Sequence, residues 1–296
     1  MEFVKAERKK VKLRLILQGI SGSGKTPAAL KIATGLGGSI AVIDTERGSS
    51  ALYSEDFQFD VLSLGPPFTP ERYMQAVKLA EKGGYDVLII DSLSHAWAGE
   101  GGVLDIHKAK TKASAKGNSF NAWGDVTPIQ IRFIETIMRS NMHVIVTLRA
   151  KTHYDIVDNG DGKKVPVKIG LAPIQRSELE YEFDCVLDMH ESGYASSSID
   201  RTRLFRGRDS IIEVEHGVIL RDWLEKGKDN PAISLATPEQ IKEFEVMADI
   251  LDIKSETKSL WLTMENVSSF EKLTQVKIEK FLRQMRKKID EASAKE

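Results

Sequence analysis

LRLILQGISGSGKTPAALKIATGLGG (13–38) decides how this 296-residue chain is read. Its opening run is continuously apolar apart from one arginine, the pattern of a strand buried on both faces. Gly19-Ile20-Ser21-Gly22-Ser23-Gly24-Lys25-Thr26 follows and matches G-x-x-x-x-G-K-[ST] without a gap. PAALKIATGL then reads as a helix stopped by Gly37-Gly38. Strand, glycine loop and helix in this order make an anion cradle. The glycines let consecutive N–H groups turn toward one centre, and the helix N-terminus adds positive potential. Gly19, Ser21, Gly22, Ser23 and Gly24 are therefore the expected nucleotide-binding backbone. Lys25 would reach the β- and γ-phosphates of ATP, and the Thr26 hydroxyl would ligate Mg²⁺.

Outward from the loop, SIAVIDTE (39–46) and VLSL (61–64) read as strands. A helix over 66–83 starts at Thr69-Pro70, an N-cap and N1 pair. YDVLIID (85–91) is a further strand, ending in Asp91. The alternation argues for an α/β fold with a mainly parallel sheet covered on both faces. Asp91 falls at a carboxyl strand end, where such sheets place their ligands, and would hold the metal shell. Ser92 comes next, not a glutamate, so the water-activating base must come from another strand. Glu46 is the best candidate, since a carboxylate there can orient and polarise water. Asp44 shares its face by the period of two.

The segment 94–124 is glycine- and lysine-rich and poorly periodic, and is expected to be a long irregular connection. A helix over 127–141 leads to a strand over 142–150. Residues 157–170 read as a hairpin turning at Asn159-Gly160 and Asp161-Gly162. FDCVLDM, RTRLFRG, SIIEVEH and GVILRDW (183–223) read as short late strands. From Thr237-Pro238 the pattern is helical, and Ile278, Phe281, Leu282, Met285 and Ile289 form one apolar stripe. The expected organisation is a basic arm (1–12), a core (13–228) and a small helical module (229–296).

Forty-two basic residues face forty-three acidic ones, for a formal net charge of −1. Coating nucleic acid by bulk charge is excluded, and any such contact must come from local patches. Cys185 is the single cysteine. An intrachain disulfide and a thiolate-built zinc site are therefore excluded. The N-terminal MEFVKAERKKVK has no apolar stretch behind it, and no run approaches the ~20 apolar residues that span a bilayer. A cytoplasmic protein with no membrane partner is expected.

GISGSGKT, AVIDTERGSSALY and YDVLIIDSLS together resemble the RecA family of recombination ATPases. More narrowly, the chain resembles phage-borne RecA-core ATPases associated with single-strand annealing. Trp123-Gly124-Asp125, VIVTLRAK and GLAPIQRSELEYEFDCVLDM with its Gln175-Arg176 carry that likeness, over roughly residues 13–222. The resemblance implies a RecA-like P-loop NTPase core that uses ATP and Mg²⁺, with Glu46 as catalytic glutamate. Arg149 falls where relatives usually carry a glutamine that senses the γ-phosphate. Segments 94–124 and 151–172 match the two DNA-binding loops. The first offers Lys108, Lys110, Lys112 and Lys116, with Trp97, Phe120 and Trp123 as stacking surfaces. Rings or filaments of such proteins complete each nucleotide site with a neighbour's cation, for which Arg176, Arg203 and Arg206 are candidates, alongside Arg201 and Arg208. Implied partners are single-stranded DNA, further copies of the chain and a single-strand binding protein, in the bacterial host cytoplasm if phage-encoded. Two rivals stand beside this reading: a P-loop kinase of a small molecule, and a regulatory ATPase of the same core with a protein partner.

Overall fold

The computed structural model describes residues 5–114, 118–158, 164–191, 193–229, 234–265 and 267–293. They divide into two units. One comprises Leu13–Val77 and Tyr85–Trp223, the other Met1–Lys12, Lys78–Gly84 and Leu224–Glu296.

The first unit is built on a sheet. In chain order its elements are β1 (Arg14–Gly19), α1 (Lys25–Leu36), β2 (Ile40–Asp44), β3 (Asp60–Ser63), the first part of α2 (Pro70–Gly83, whose residues from Lys78 belong to the other unit) and β4 (Val87–Asp91). There follow α3 (Ser94–Ala98), α4 (Val103–Ala113), α5 (Ser119–Met138), β5 (His143–Asp158) and β6 (Lys164–Pro173). β7 (Cys185–Met189), β8 (Tyr194–Asp200), β9 (Ser210–Ile211) and α6 (Val214–Leu224) complete it. The strand order is β3-β2-β4-β5-β1-β7-β8-β9, with β6 paired to β5. Pairs from β3 through β7 are parallel. The β5/β6, β7/β8 and β8/β9 pairs are antiparallel. Central strands β1, β4 and β5 are apolar on both faces, as a sheet covered by helices on each side requires. β5 therefore separates the P-loop strand from the Asp91 strand. This is the α/β P-loop NTPase fold that the alternating pattern predicts.

Four expectations need correction. The segment 94–124 is mostly helical: α3, α4 and the first turn of α5 occupy it. Asn118 caps α5, accepting hydrogen bonds from Phe120 N at 2.9 Å and Asn121 N at 3.3 Å. The helical period is weak in this stretch because α4 carries lysines on a face that packs little. RTRLFRG is a loop instead of a strand, wound around Asp200. That carboxylate accepts from the Thr202, Arg203 and Phe205 amides at 2.8–2.9 Å. GVILRDW lies in helix α6, and SIIEVEH is a strand only at Ser210–Ile211, since α6 begins at Val214. A short apolar run fits a strand and a buried helix equally well, and here a close helix crossing decides. A Cβ on Gly217 would meet Ile32 O at 2.2 Å, and one on Gly35 would meet Val214 O at 2.1 Å. The base of the 157–170 hairpin is observed as β5/β6, with its turn outside the described residues.

Arg14 is the polar exception in the buried β1. Its guanidinium donates to Met138 O (2.9 Å) and Ser140 O (2.5 Å) through one nitrogen, and to Leu13 O and Met142 O (2.8 Å each) through the other. It thus closes the end of α5, where helix carbonyls lack partners and the dipole favours a cation. Arg14→Met should cost roughly 3–5 kcal/mol, because the carbonyls stay buried without their donor. Urea unfolding checks this. A lower midpoint at unchanged slope is expected, and an unchanged midpoint would refute it.

In the second unit, α7 (Pro238–Ile250), α8 (Ser255–Glu265) and α9 (Gln275–Ser293) form a small helical module. Phe244, Ala248, Leu273, Ile278, Leu282 and Met285 make its core, so the apolar stripe of α9 faces inward. Thr237 and Gln240 form a reciprocal capping box at the start of α7. The basic arm is tied down within this unit: Lys10 N donates to Lys228 O at 2.9 Å, and Lys10 pairs with Asp229 at 2.7 Å. No helix among the described residues is long and apolar enough to cross a membrane.

Candidate active site

The loop between β1 and α1 adopts the shape its glycines allow. Gly22 and Gly24 sit at φ 84° and 83°, the left-handed region that favours glycine, and a Cβ on either would meet nothing within 4 Å. The space in front of the loop is open. Gly19 is required for a different reason: a Cβ there would lie 2.5 Å from Met189 O of the adjacent β7. Ser23 is turned inward, its hydroxyl donating to Ile20 O at 2.9 Å. Ser21 is exposed at the loop's rim.

Lys25 opens α1, and its amine donates to Gly19 O at 3.0 Å and Ile20 O at 2.6 Å. Burial lowers its pKa, while the Asp91 and Glu46 carboxylates work the other way. Thr26 Oγ1 donates to Asp91 Oδ2 at 2.5 Å. Asp91 is almost wholly buried. That burial raises its pKa, and hydroxyl donors from Thr147 and Thr26 pull it back. An open glycine cradle, a lysine at its root and a paired hydroxyl and carboxylate fit a magnesium–nucleotide. Thr26 and Asp91 would hold the cation, and the loop amides with Lys25 the phosphates.

β2 ends at Asp44, and Glu46 follows two residues later. The two acids have different surroundings. Asp44 Oδ1 accepts from Glu46 N (2.7 Å) and Gly48 N (3.2 Å), while Oδ2 accepts from Ser50 N (3.0 Å) and the Ser50 hydroxyl. It clamps the loop that carries Glu46, so the equivalence that strand periodicity suggests does not hold. Glu46 itself meets Arg149 at the end of the regular part of β5. Arg149 Nε donates to Oε1 at 2.7 Å and Nη2 to Oε2, a two-pronged pair. Burial by itself would raise the Glu46 pKa, but Arg149's hydrogen bonds and charge win and hold the carboxylate below its ordinary range. Arg149 is anchored in turn by its amide, which donates to Ser94 Oγ at 2.9 Å. Glu46, Arg149, His95 and Phe68 line one pocket of about 600 Å³ beyond the carboxyl ends of β2 and β3. His95 stacks on Phe68 and places Nδ1 2.7 Å from Thr45 Oγ1.

A family model described as an AAA domain matches residues 11–216, well over half of the chain. The chain belongs to this AAA domain family. A search of curated proteins finds no match to it. The match ends within α6, ahead of the C-terminal helices, so the AAA domain is the part that carries every site residue described above. It is a P-loop ATPase domain, and nucleotide binding and hydrolysis are its chemistry.

The other expected site residues are more dispersed. Lys108 and Lys110 of α4 pair with Asp105 at 3.2 Å and Asp125 at 3.5 Å, and Lys112 is exposed. Lys116 lies outside the described residues. Trp123 is the hub of a stack: His107 lies 4.1 Å from it, Trp97 5.9 Å, and Arg176 6.0 Å above its ring. Phe120 projects into solvent, 85% exposed. Arg203 and Arg206 are exposed on the loop around Asp200, and Arg201 donates to Tyr181 O at 2.5 Å. Sequence reasoning missed Thr147, Ser94 and His95 within the AAA domain. The polar residue inside the apolar run VIVTL (144–148) was the available signal for Thr147.

Proposed function

We propose that this AAA domain binds Mg·ATP at residues 19–26, hydrolyses it with Glu46 as the water-orienting base, assembles with copies of itself and acts on single-stranded DNA in recombination or annealing. The observation that carries the reading is the meeting of Lys25, Thr26, Asp91, Glu46 and Arg149 at one sheet edge. Mg²⁺, when bound, would neutralise charge on the phosphates. Lys25 and the loop amides bind the phosphates, and the Glu46 carboxylate takes a proton from the attacking water. Arg149 keeps that carboxylate ionised and fixes its plane. ATP then serves as an assembly switch between subunits in a ring or filament, with a cation from the neighbour (Arg176, Arg203 or Arg206) completing the site.

The DNA part of the reading is supported by α4 and the start of α5, where lysines lie near the Trp97, Trp123 and His107 stack and the separate Phe120 ring is exposed. Charge that follows a backbone and rings that accept bases are what single strands need. The test is the ATPase rate with and without single-stranded DNA. Stimulation is expected, and indifference to DNA would overturn it in favour of a protein partner. Turnover that requires a small hydroxyl acceptor would instead favour a kinase using the pocket beyond Glu46. Changing Lys108, Lys110 and Lys112 to alanine should weaken DNA binding and flatten its log–log salt dependence, by about 0.7 for each phosphate no longer neutralised. An unchanged slope would move the DNA site away from α4.

A further inference from the structure

Thr147 is the odd residue in the buried part of β5. Ile145, Val146 and Leu148 around it are apolar and buried, yet Thr147 brings a hydroxyl to a position with no exposed surface. β5 lies between the P-loop strand and the Asp91 strand. Thr147 pairs in register with Leu17 of β1, and the preceding Val146 pairs with Ile90 of β4. The register sets Thr147 beside Asp91, and its Oγ1 donates to Oδ1 at 2.5 Å. Oδ2, the other oxygen, takes the Thr26 hydroxyl. The strand is also pinned at this point, because Thr147 O accepts from Leu93 N at 3.0 Å.

We propose that Thr147 is the positioning residue of the magnesium site: its hydroxyl tethers Oδ1 of Asp91 and thereby aims Oδ2 at Thr26 and the cation. This rests on the reading of Thr26 and Asp91 as the residues that hold Mg²⁺. A buried carboxylate free to turn about its Cβ–Cγ bond would spread its charge over orientations that do not face the cation. A tether on one oxygen removes that freedom and leaves the other oxygen at a fixed place. Thr26 belongs to helix α1 and Thr147 to strand β5, so the carboxylate is held from two separate elements. Groups that orient a metal-holding carboxylate in this way typically contribute about 10–100-fold to metal affinity.

The experiment titrates the full chain with a non-hydrolysable ATP analogue over a range of Mg²⁺ concentrations and in EDTA. Thr147→Val keeps the β-branched shape without the hydroxyl, Thr147→Ser keeps the hydroxyl, and Thr147→Ala removes it without adding bulk. Valine and alanine should raise the Mg²⁺ concentration for half-maximal effect by about 10–100-fold. Serine should stay near the wild type, and affinity in EDTA should be unchanged in all three. Thermal unfolding of the nucleotide-free chain confirms that each variant is folded. An unchanged Mg²⁺ midpoint in valine and alanine would overturn the tether, as would an equal shift in all three variants, which would mark a packing effect. If the wild type binds the analogue equally well in EDTA and in Mg²⁺, the metal reading itself fails, and the tether falls with it.

Discussion

Lys25→Ala should abolish ATP binding, with no saturation by nucleotide in calorimetric titration at concentrations that saturate the wild type. The amine brings a full positive charge to the root of the glycine loop, and burial there strengthens its pull on phosphate. Two charge-assisted hydrogen bonds at ~1.5–3 kcal/mol each would amount to roughly 3–6 kcal/mol, or about 10²–10⁴-fold in affinity. In the structure the same amine ties together Gly19 O and Ile20 O, so alanine also loosens the loop's own geometry. Lys25→Arg separates the two contributions. It keeps the charge but changes the length and shape of the donor, so partial binding would assign the loss to charge and a complete loss would assign it to shape. Saturable binding by Lys25→Ala at the wild-type affinity would refute the phosphate site.

Glu46→Gln should behave in the opposite way, with nucleotide binding kept and hydrolysis reduced by roughly 10²–10⁴-fold, the usual contribution of a positioned base. Glutamine has the shape of glutamate and can still accept a hydrogen bond from Arg149, so the pocket should persist. What disappears is the capacity to take a proton from water. Asp44 has a different task, since its oxygens hold the loop that carries Glu46 through the Glu46, Gly48 and Ser50 amides and the Ser50 hydroxyl. Single-turnover hydrolysis beside analogue binding makes the distinction. A wild-type rate in Glu46→Gln would remove it from the reaction and point to another base.

The loop at 19–26, the Asp91 strand and the position of Glu46 are legible directly because each is encoded in consecutive residues. A phosphate loop needs its glycines, lysine and threonine at fixed spacing, and a buried parallel strand announces itself as an unbroken apolar run. The segment 94–124 resists for the converse reason. α4 exposes most of its surface and so carries little periodic constraint, and α5 begins at a cap that the preceding glycines and lysines obscure. α6 reads as a strand because the seven residues of GVILRDW suit either period, and the closeness of Gly217 to Gly35 leaves no local trace.

By itself the sequence determined the P-loop ATPase class, the mainly parallel sheet and the helical C-terminal region, since these follow from local spacing and from the burial that each pattern demands. Only the tertiary structure decided which groups meet. The ion pair of Glu46 with Arg149 joins the end of β2 to β5, which are distant in sequence. Thr147 on Asp91 and Arg14 on the end of α5 are likewise contacts between elements. The strand order decides all three: β5 is inserted between β1 and β4, so its start lies beside Arg14 of β1 and its far end carries Thr147 and Arg149 to the edge where the nucleotide loop opens. A hydrogen bond of a few ångströms depends on that register, and register is set by packing across the whole sheet instead of by any run of neighbouring residues.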